Sequence, residues 1–241
     1  SLGFGLVLML TLLITLTGWI GLASIIDRSN KLSTISDTVA LAKDLRIARV
    51  SYDRDNGVNG PAEVNNLLNR IEDNLKQART QLVLSQDLAL INQELQAIAQ
   101  YTTIFRQIDE ATQAREVSRT QLGASADSAV ARIEAIEQDV LKGNDLALLN
   151  RVDQLARHIQ NARFQVRGYT YSGAAETAQP ALDAINQAQA QLTRLSATLP
   201  AEYALPLQHI KEALTRYGDT FVQFRDSQVL SDQQQSTLKT L

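Results

Sequence analysis

Apolar side chains recur at every third or fourth position along almost the whole chain. This spacing is the period of amphipathic helices that pack on their neighbours, and no stretch alternates as a strand would. Breaks in the pattern separate six predicted helices, at about residues 27–56, 61–84, 86–141, 146–172, 176–198 and 201–241. The pattern therefore predicts an all-α protein.

Turn and capping residues mark the boundaries between these helices. Residues 56–61 read NGVNGP, a glycine and proline turn that ends helix 1. Gly143 is expected to end helix 3, Asp145 to cap helix 4, and Gly173 to close helix 4. Pro200 separates helices 5 and 6.

The first 26 residues differ in character from the rest. Leu2–Leu22 carries no charge and matches the ~20 residues that a helix needs to cross a bilayer. The apolar run extends to Ile26 before Asp27 and Arg28 end it, so it is longer than the apolar part of a cleaved secretory signal. We expect residues 1–26 to form an uncleaved transmembrane helix.

Helix lengths, at a rise of ~1.5 Å per residue, predict how the remaining chain is organised. With antiparallel neighbours, helices 3 and 6 are long enough to take part in two stacked four-helix bundles. The module near the membrane contains about residues 27–110, and the distal module contains about residues 111–230. We expect helix 6 to continue beyond residue 241, where it would complete the first module and lead into a second span.

Composition excludes several classes of function. The formal net charge is −3 with acids and bases interspersed, so no basic surface for nucleic acid is expected. The absence of cysteine excludes disulfides and thiol catalysis. His158 and His209 stand alone, and no phosphate loop, nucleophile elbow or metal signature occurs. We therefore predict no catalytic residues, no metal and no cofactor.

Two arginine-rich segments carry the candidate chemistry. Helix 1 contains DLRIARVSYDRDNG and helix 4 contains NARFQVRGYTYSG, and each places arginines just before tyrosine and a terminal glycine. Arginines spaced three or four residues apart on a helix can hold a carboxylate through charge-assisted hydrogen bonds. The proximal candidates are Arg46, Arg49 and Tyr52; the distal candidates are Arg163, Arg167, Tyr171, Arg216 and Tyr217.

Two further observations bear on these candidates. Helix lengths place Arg163, Arg167 and Tyr217 at a level where helix 3 carries the small residues 123–126, which leave room for a ligand. The alternative is that the arginines pair with acids of the chain itself, such as Asp53. The aromatic stripe of helix 6 is expected to be core, apart from Tyr217.

The N-terminal apolar span, the six-helix length pattern and Arg-x-x-Arg on helix 1 resemble the helical bimodular ligand-binding domain of methyl-accepting chemotaxis proteins. The resemblance implies a periplasmic homodimer in the inner membrane, with residues 27–241 as the sensor domain. It also implies small organic acids as ligands, such as dicarboxylates and acetate, with a site in each module. Signals would cross the membrane through helix displacement.

Two alternatives remain open. The sensor domains of some transmembrane histidine kinases share this layout, and the cytoplasmic output domain would decide between the two. A ligand-free, membrane-anchored helical scaffold is a different class of function, in which the arginines are surface residues.

Overall fold

A computed structural model describes the backbone of residues 25–82 and 85–240, and the side chains from residue 36 onward. Within these ranges the chain forms α-helices, short 3-10 turns and loops, as the apolar pattern predicts. The helices are α1 (Ile25–Arg54), α2 (Ala62–Gln81), α3 (Ser85–Lys142), α4 (Leu146–Ser172), α5 (Ala178–Ser196) and α6 (Ala204–Thr240). The predicted all-α class and the order of six helices are confirmed for the described residues.

The ends of α4 follow the predicted capping chemistry. The Asp145 side chain accepts a hydrogen bond from the Leu148 backbone N–H at 2.9 Å. Gly173 adopts a left-handed φ of 63°, and its N–H donates to the Tyr169 carbonyl at 2.8 Å. Helix α3 ends at Lys142, directly before Gly143 as predicted, and the residue that takes the left-handed conformation in this turn is Asn144, with a φ of 58°. Asparagine tolerates this conformation because its short polar side chain bonds locally.

Two helices begin later than predicted. Residues Ala175–Thr177 and Ala201–Tyr203 form 3-10 turns before α5 and α6. Short 3-10 segments are common where a chain tightens into an α-helix. The predicted last residues of helix 2, Val83 and Leu84, lie outside the described residues.

The predicted membrane helix also lies outside the described residues, apart from Ile25 and Ile26. Among the helices described between residues 25 and 240, none combines the length and apolar character needed to cross a bilayer.

The described residues divide into two compact units, which fall within residues 1–112 with 230–241 and within residues 113–229. Both α3 and α6 contribute to each unit. In the first unit, segments of α1, α2, α3 and α6 share a core whose most deeply buried members are Val64, Leu68, Ile71, Phe105 and Ile108.

The second unit places segments of α3, α4, α5 and α6 around one core. Its centre is aromatic, since Tyr169 meets Phe221 edge to face at a ring separation of 5.4 Å and Phe224 at 6.1 Å. Phe221 and Phe224 are almost fully buried. The expectation that the aromatic stripe of helix 6 is core is confirmed.

Gly57, in the turn after α1, is held in a conformation that an added methyl group would strain. Its φ is 74°, and a Cβ there would lie 2.9 Å from the Tyr52 hydroxyl oxygen. We expect Gly57→Ala to lower the free energy of unfolding by about 1–3 kcal/mol, measured by urea denaturation. Gly60→Ala is the matched control, because Gly60 has a φ of 75° but open space around it. Equal decreases in the free energy of unfolding of the two variants would show that the close approach to Tyr52 adds no cost at Gly57.

Candidate functional site

A cleft of about 210 Å³ opens on the surface of the second unit. Helices α3, α4 and α6 all contribute to its lining. The lining residues are Arg119, Leu122, Gly123, Ala126, Arg163, Val166, Arg167, Thr170, Tyr171 and Tyr217. Gly123 and Ala126 supply the room, since a Cβ added at Gly123 would meet no heavy atom within 4 Å.

Three guanidinium groups line this cleft, and their charges are only partly compensated. Arg163 Nη2 donates to Asp127 Oδ1 at 2.6 Å. Arg119 Nη2 lies 3.5 Å from a carboxylate oxygen of Glu116. Arg167 forms no ion pair with any residue that the structure describes. The cleft therefore carries three cations against two carboxylates, one of which, Glu116, also pairs with Arg115, and this balance favours an anionic guest.

Other contacts hold Arg119 at the edge of the cleft. Its guanidinium carbon lies 5.5 Å from the centre of the Phe224 ring, within reach of a cation–π interaction. Its Nη2 also donates to the Thr170 carbonyl oxygen at 3.5 Å. These contacts tie the arginine of α3 to the aromatic core and to α4.

Tyr217 offers a neutral hydroxyl to the cleft. Its side chain is buried, and the hydroxyl makes no hydrogen bond within the described part of the chain. Burial raises the pKa of the hydroxyl above its ordinary value of 10.0, although the charges of Arg163 and Arg167 act to lower it. The group therefore stays protonated at neutral pH and can donate a hydrogen bond to an anion.

The structure brings four of the five distal candidates to one place. Arg163, Arg167, Tyr171 and Tyr217 all line the cleft, although Tyr171 is largely exposed. Arg216 lies on an exposed surface and does not line it, since its neighbour Tyr217 faces the cleft instead. Its predicted place in the site is not supported.

Arg119 and Thr170 were not among the sequence candidates. Arg119 lies four residues before Gly123 and therefore on the same face of α3 as the small residues that leave room. That spacing is the signal that could have identified it. Thr170 lies between Tyr169 and Tyr171, and nothing in its sequence context distinguishes it.

The proximal candidates in the first unit have a different environment. Arg49 is buried, forms an ion pair with Asp53 four residues along α1, and lies 5.4 Å from the centre of the Phe105 ring. Burial raises the pKa of the Asp53 carboxyl, while the charge of Arg49 and its hydrogen bond lower it. Arg49 thus pairs with an acid of the chain itself, which was the alternative to ligand binding. Its Nε is buried and has no hydrogen-bond acceptor among the described residues.

The other two proximal candidates, Tyr52 and Arg46, differ in their environment. The Tyr52 hydroxyl donates to Asp109 Oδ1 at 2.7 Å, and burial together with this hydrogen bond raises its pKa. The Arg46 side chain is exposed. Arg49 and Tyr52 thus bind carboxylates of the chain itself.

No group of three or more histidine, aspartate or glutamate side chains is arranged to hold a metal ion within residues 36–82 and 85–240.

Comparison with known proteins places this architecture in a class of sensory domains. The chain matches the family of helical bimodular sensor domains over residues 19–241. It belongs to this family, and it is a sensor domain of the kind found in chemotaxis receptors.

Two relatives come from Pseudomonas putida. The chain is 42% identical over 233 residues to the methyl-accepting chemotaxis protein McpQ, covering 97% of the chain and 36% of the relative. It is 32% identical over 225 residues to the methyl-accepting chemotaxis protein McpS, covering 90% of the chain and 35% of the relative. The chain thus spans about a third of the length of the curated relatives it matches.

Proposed function

We propose that this chain is the periplasmic sensor domain of an inner-membrane chemoreceptor, and that the cleft of its second unit binds a small carboxylate. The observation that carries the proposal is the convergence of Arg119, Arg163 and Arg167 with the free hydroxyl of Tyr217. Membership of the sensor-domain family supports ligand binding, rather than chemical conversion, as the task of this cleft.

The cleft suits a short organic acid. Arg163 and Arg167 lie one turn apart on α4, a spacing that lets two guanidinium groups meet one carboxylate. Tyr217 supplies a third donor, and Leu122 and Val166 give an apolar wall for methylene groups. At about 210 Å³ the cleft is smaller than the ~300–1,000 Å³ of sites for drug-sized ligands. Acetate and dicarboxylates fit this combination of charge and size.

Signalling would follow from differential binding to two packing arrangements. A ligand in the cleft contacts α3, α4 and α6 together and would favour the arrangement in which the three arginines approach it. Because α6 continues from the cleft to Thr240, a displacement there would be passed along this helix toward the membrane. We propose that the receptor acts as a homodimer.

A second site in the first unit is proposed around Arg49, together with Arg46 and Tyr52. The support for it is the buried Arg49 Nε, which lacks an acceptor and could bind an oxygen of a ligand. Such a ligand would compete with Asp53 for the guanidinium group.

Thermal unfolding of the chain in the presence of acetate or succinate tests the proposed function. A ligand at ~100 times its dissociation constant should add ~2.7 kcal/mol to the free energy of unfolding. Acetamide and succinamide are the controls, because they keep the shape and lose the charge. Equal shifts with acids and amides, or no shift with any short organic acid, would favour the ligand-free scaffold.

Filling the cleft from Gly123 should block binding without disturbing the fold. A Cβ at this helical position meets no heavy atom within 4 Å, so a side chain can start there and extend into the cleft. Gly123→Leu is expected to weaken binding at least tenfold by calorimetric titration. Gly168→Leu is the matched control, since Gly168 is an exposed helical glycine with open space that does not line the cleft. Both variants should be as stable as the parent or up to ~1 kcal/mol more stable, because glycine is unfavourable within a helix. Unchanged binding in Gly123→Leu would place the ligand elsewhere.

A further inference from the structure

We propose that Asp127 is an internal competitor of the ligand, and that binding moves Arg163 from this carboxylate to that of the guest. The inference rests on the proposed function of the cleft. It assigns a role in setting the affinity of the site to a residue that does not line the cleft.

The position of Asp127 suits this role. Ala126 lines the cleft and Asp127 is the next residue of α3, and its carboxylate contacts Arg163, a residue of the cleft lining. Arg163 Nη2 reaches across from α4 to Asp127 Oδ1 at 2.6 Å. The carboxylate thus occupies a binding position on the same guanidinium that faces the cleft.

Exposure makes the pair displaceable. The side chain of Asp127 is 67% exposed and that of Arg163 is 31% exposed. Ion pairs with this much solvent contact contribute little net stability, so a ligand carboxylate held also by Arg167 and Tyr217 can displace Asp127. The released Asp127 carboxylate is already exposed, so water can replace Arg163 as its hydrogen-bond partner.

This exchange would change a contact between helices as well as the affinity. In this structure the pair joins α3 to α4 across 36 positions of sequence. In the bound state that link would be absent and Arg163 would bind the ligand instead. The site would then report occupancy by losing one interhelical ion pair.

Asp127→Asn tests the competition directly. Calorimetric titration with succinate should show binding about two- to fivefold tighter than in the parent chain, since an exposed ion pair no longer has to be broken. Asp153→Asn is the matched control, because this substitution removes the same charge from a carboxylate that pairs with Arg157 along α4 and does not line the cleft. Asp153→Asn should change the affinity for succinate by less than half of the factor measured for Asp127→Asn.

A spectroscopic readout separates exchange from a general effect of charge. In a chain labelled with ¹³C at the aspartate carboxyls, the Asp127 signal, assigned by its loss in Asp127→Asn, should shift when succinate saturates the cleft. The Asp153 signal should stay in place. An Asp127 signal that does not move at saturation would contradict the exchange.

The outcomes for the two proposals differ. Succinate binding that is unchanged or weaker in Asp127→Asn overturns the competition and leaves the proposed function standing. Binding seen only in Asp127→Asn supports both. Absence of binding of acetate and succinate in both the parent and the variant overturns both.

Discussion

Replacing Arg163 and Arg167 together by alanine is expected to weaken carboxylate binding by a factor of 100 or more. Each hydrogen bond to a charged group contributes roughly 1.5–3 kcal/mol, and the double variant removes both α4 arginines of the cleft. Two such losses correspond to about a hundredfold or greater change in the dissociation constant. Calorimetric titration with succinate measures this change.

The matched control is the double variant Arg151→Ala with Arg157→Ala. Both residues lie on exposed positions of α4, and neither lines the cleft. This control removes the same net charge from the same helix, so it corrects for the long-range field of the protein. Comparable losses of affinity in the two double variants would show that the arginines act through net charge alone and not through contact.

Phe221→Ala is expected to lower the free energy of unfolding by about 3–5 kcal/mol, the range found when a fully buried phenylalanine is truncated. Phe221 has no exposed surface and meets Tyr169 edge to face at 5.4 Å. Truncation would therefore leave a cavity at the centre of the second unit. Urea denaturation followed by circular dichroism measures the change.

Phe164→Ala is the control for this prediction. Phe164 is 72% exposed on α4, so its truncation should change the free energy of unfolding by no more than ~0.5 kcal/mol. The core variant should also weaken ligand binding, because Tyr169 precedes Thr170 and Tyr171 of the cleft. A loss below ~1 kcal/mol in Phe221→Ala would contradict the packing of this core.

Much of the fold could be predicted because it depends on local chemistry. Apolar spacing gave the order of the helices, and Asp145 and Gly173 marked the ends of α4 through capping interactions that the sequence reveals. Asn144 escaped prediction, because asparagine and glycine can both take a left-handed turn and only the packed backbone selects between them.

The candidate site was predictable only in part, for a geometrical reason. Helix lengths give the level at which a residue lies along an axis but not the direction in which its side chain points. Arg163 and Tyr217 therefore reached the cleft as predicted, while Arg216, one position earlier on α6, did not. Arg119 could have been placed on the same face of α3 as Gly123 from its spacing of four residues, but the sequence does not show that this face meets α4.

Rotamers decide a further question that sequence leaves open. Arg49 and Asp53 are four residues apart, so an ion pair between them was visible as an alternative. Whether an arginine turns toward an acid of the chain or toward an open cleft depends on burial and on the neighbouring rings. In the first unit the internal carboxylate holds the arginine, whereas in the second unit Arg167 has no such partner among the described residues.

A crystal structure of the chain grown with succinate tests the central claim most directly. The account predicts a carboxylate group within hydrogen-bonding distance, about 2.7–3.0 Å, of the Arg163 and Arg167 guanidinium groups and of the Tyr217 hydroxyl. Succinate bound away from these three residues, with the cleft empty, would contradict it.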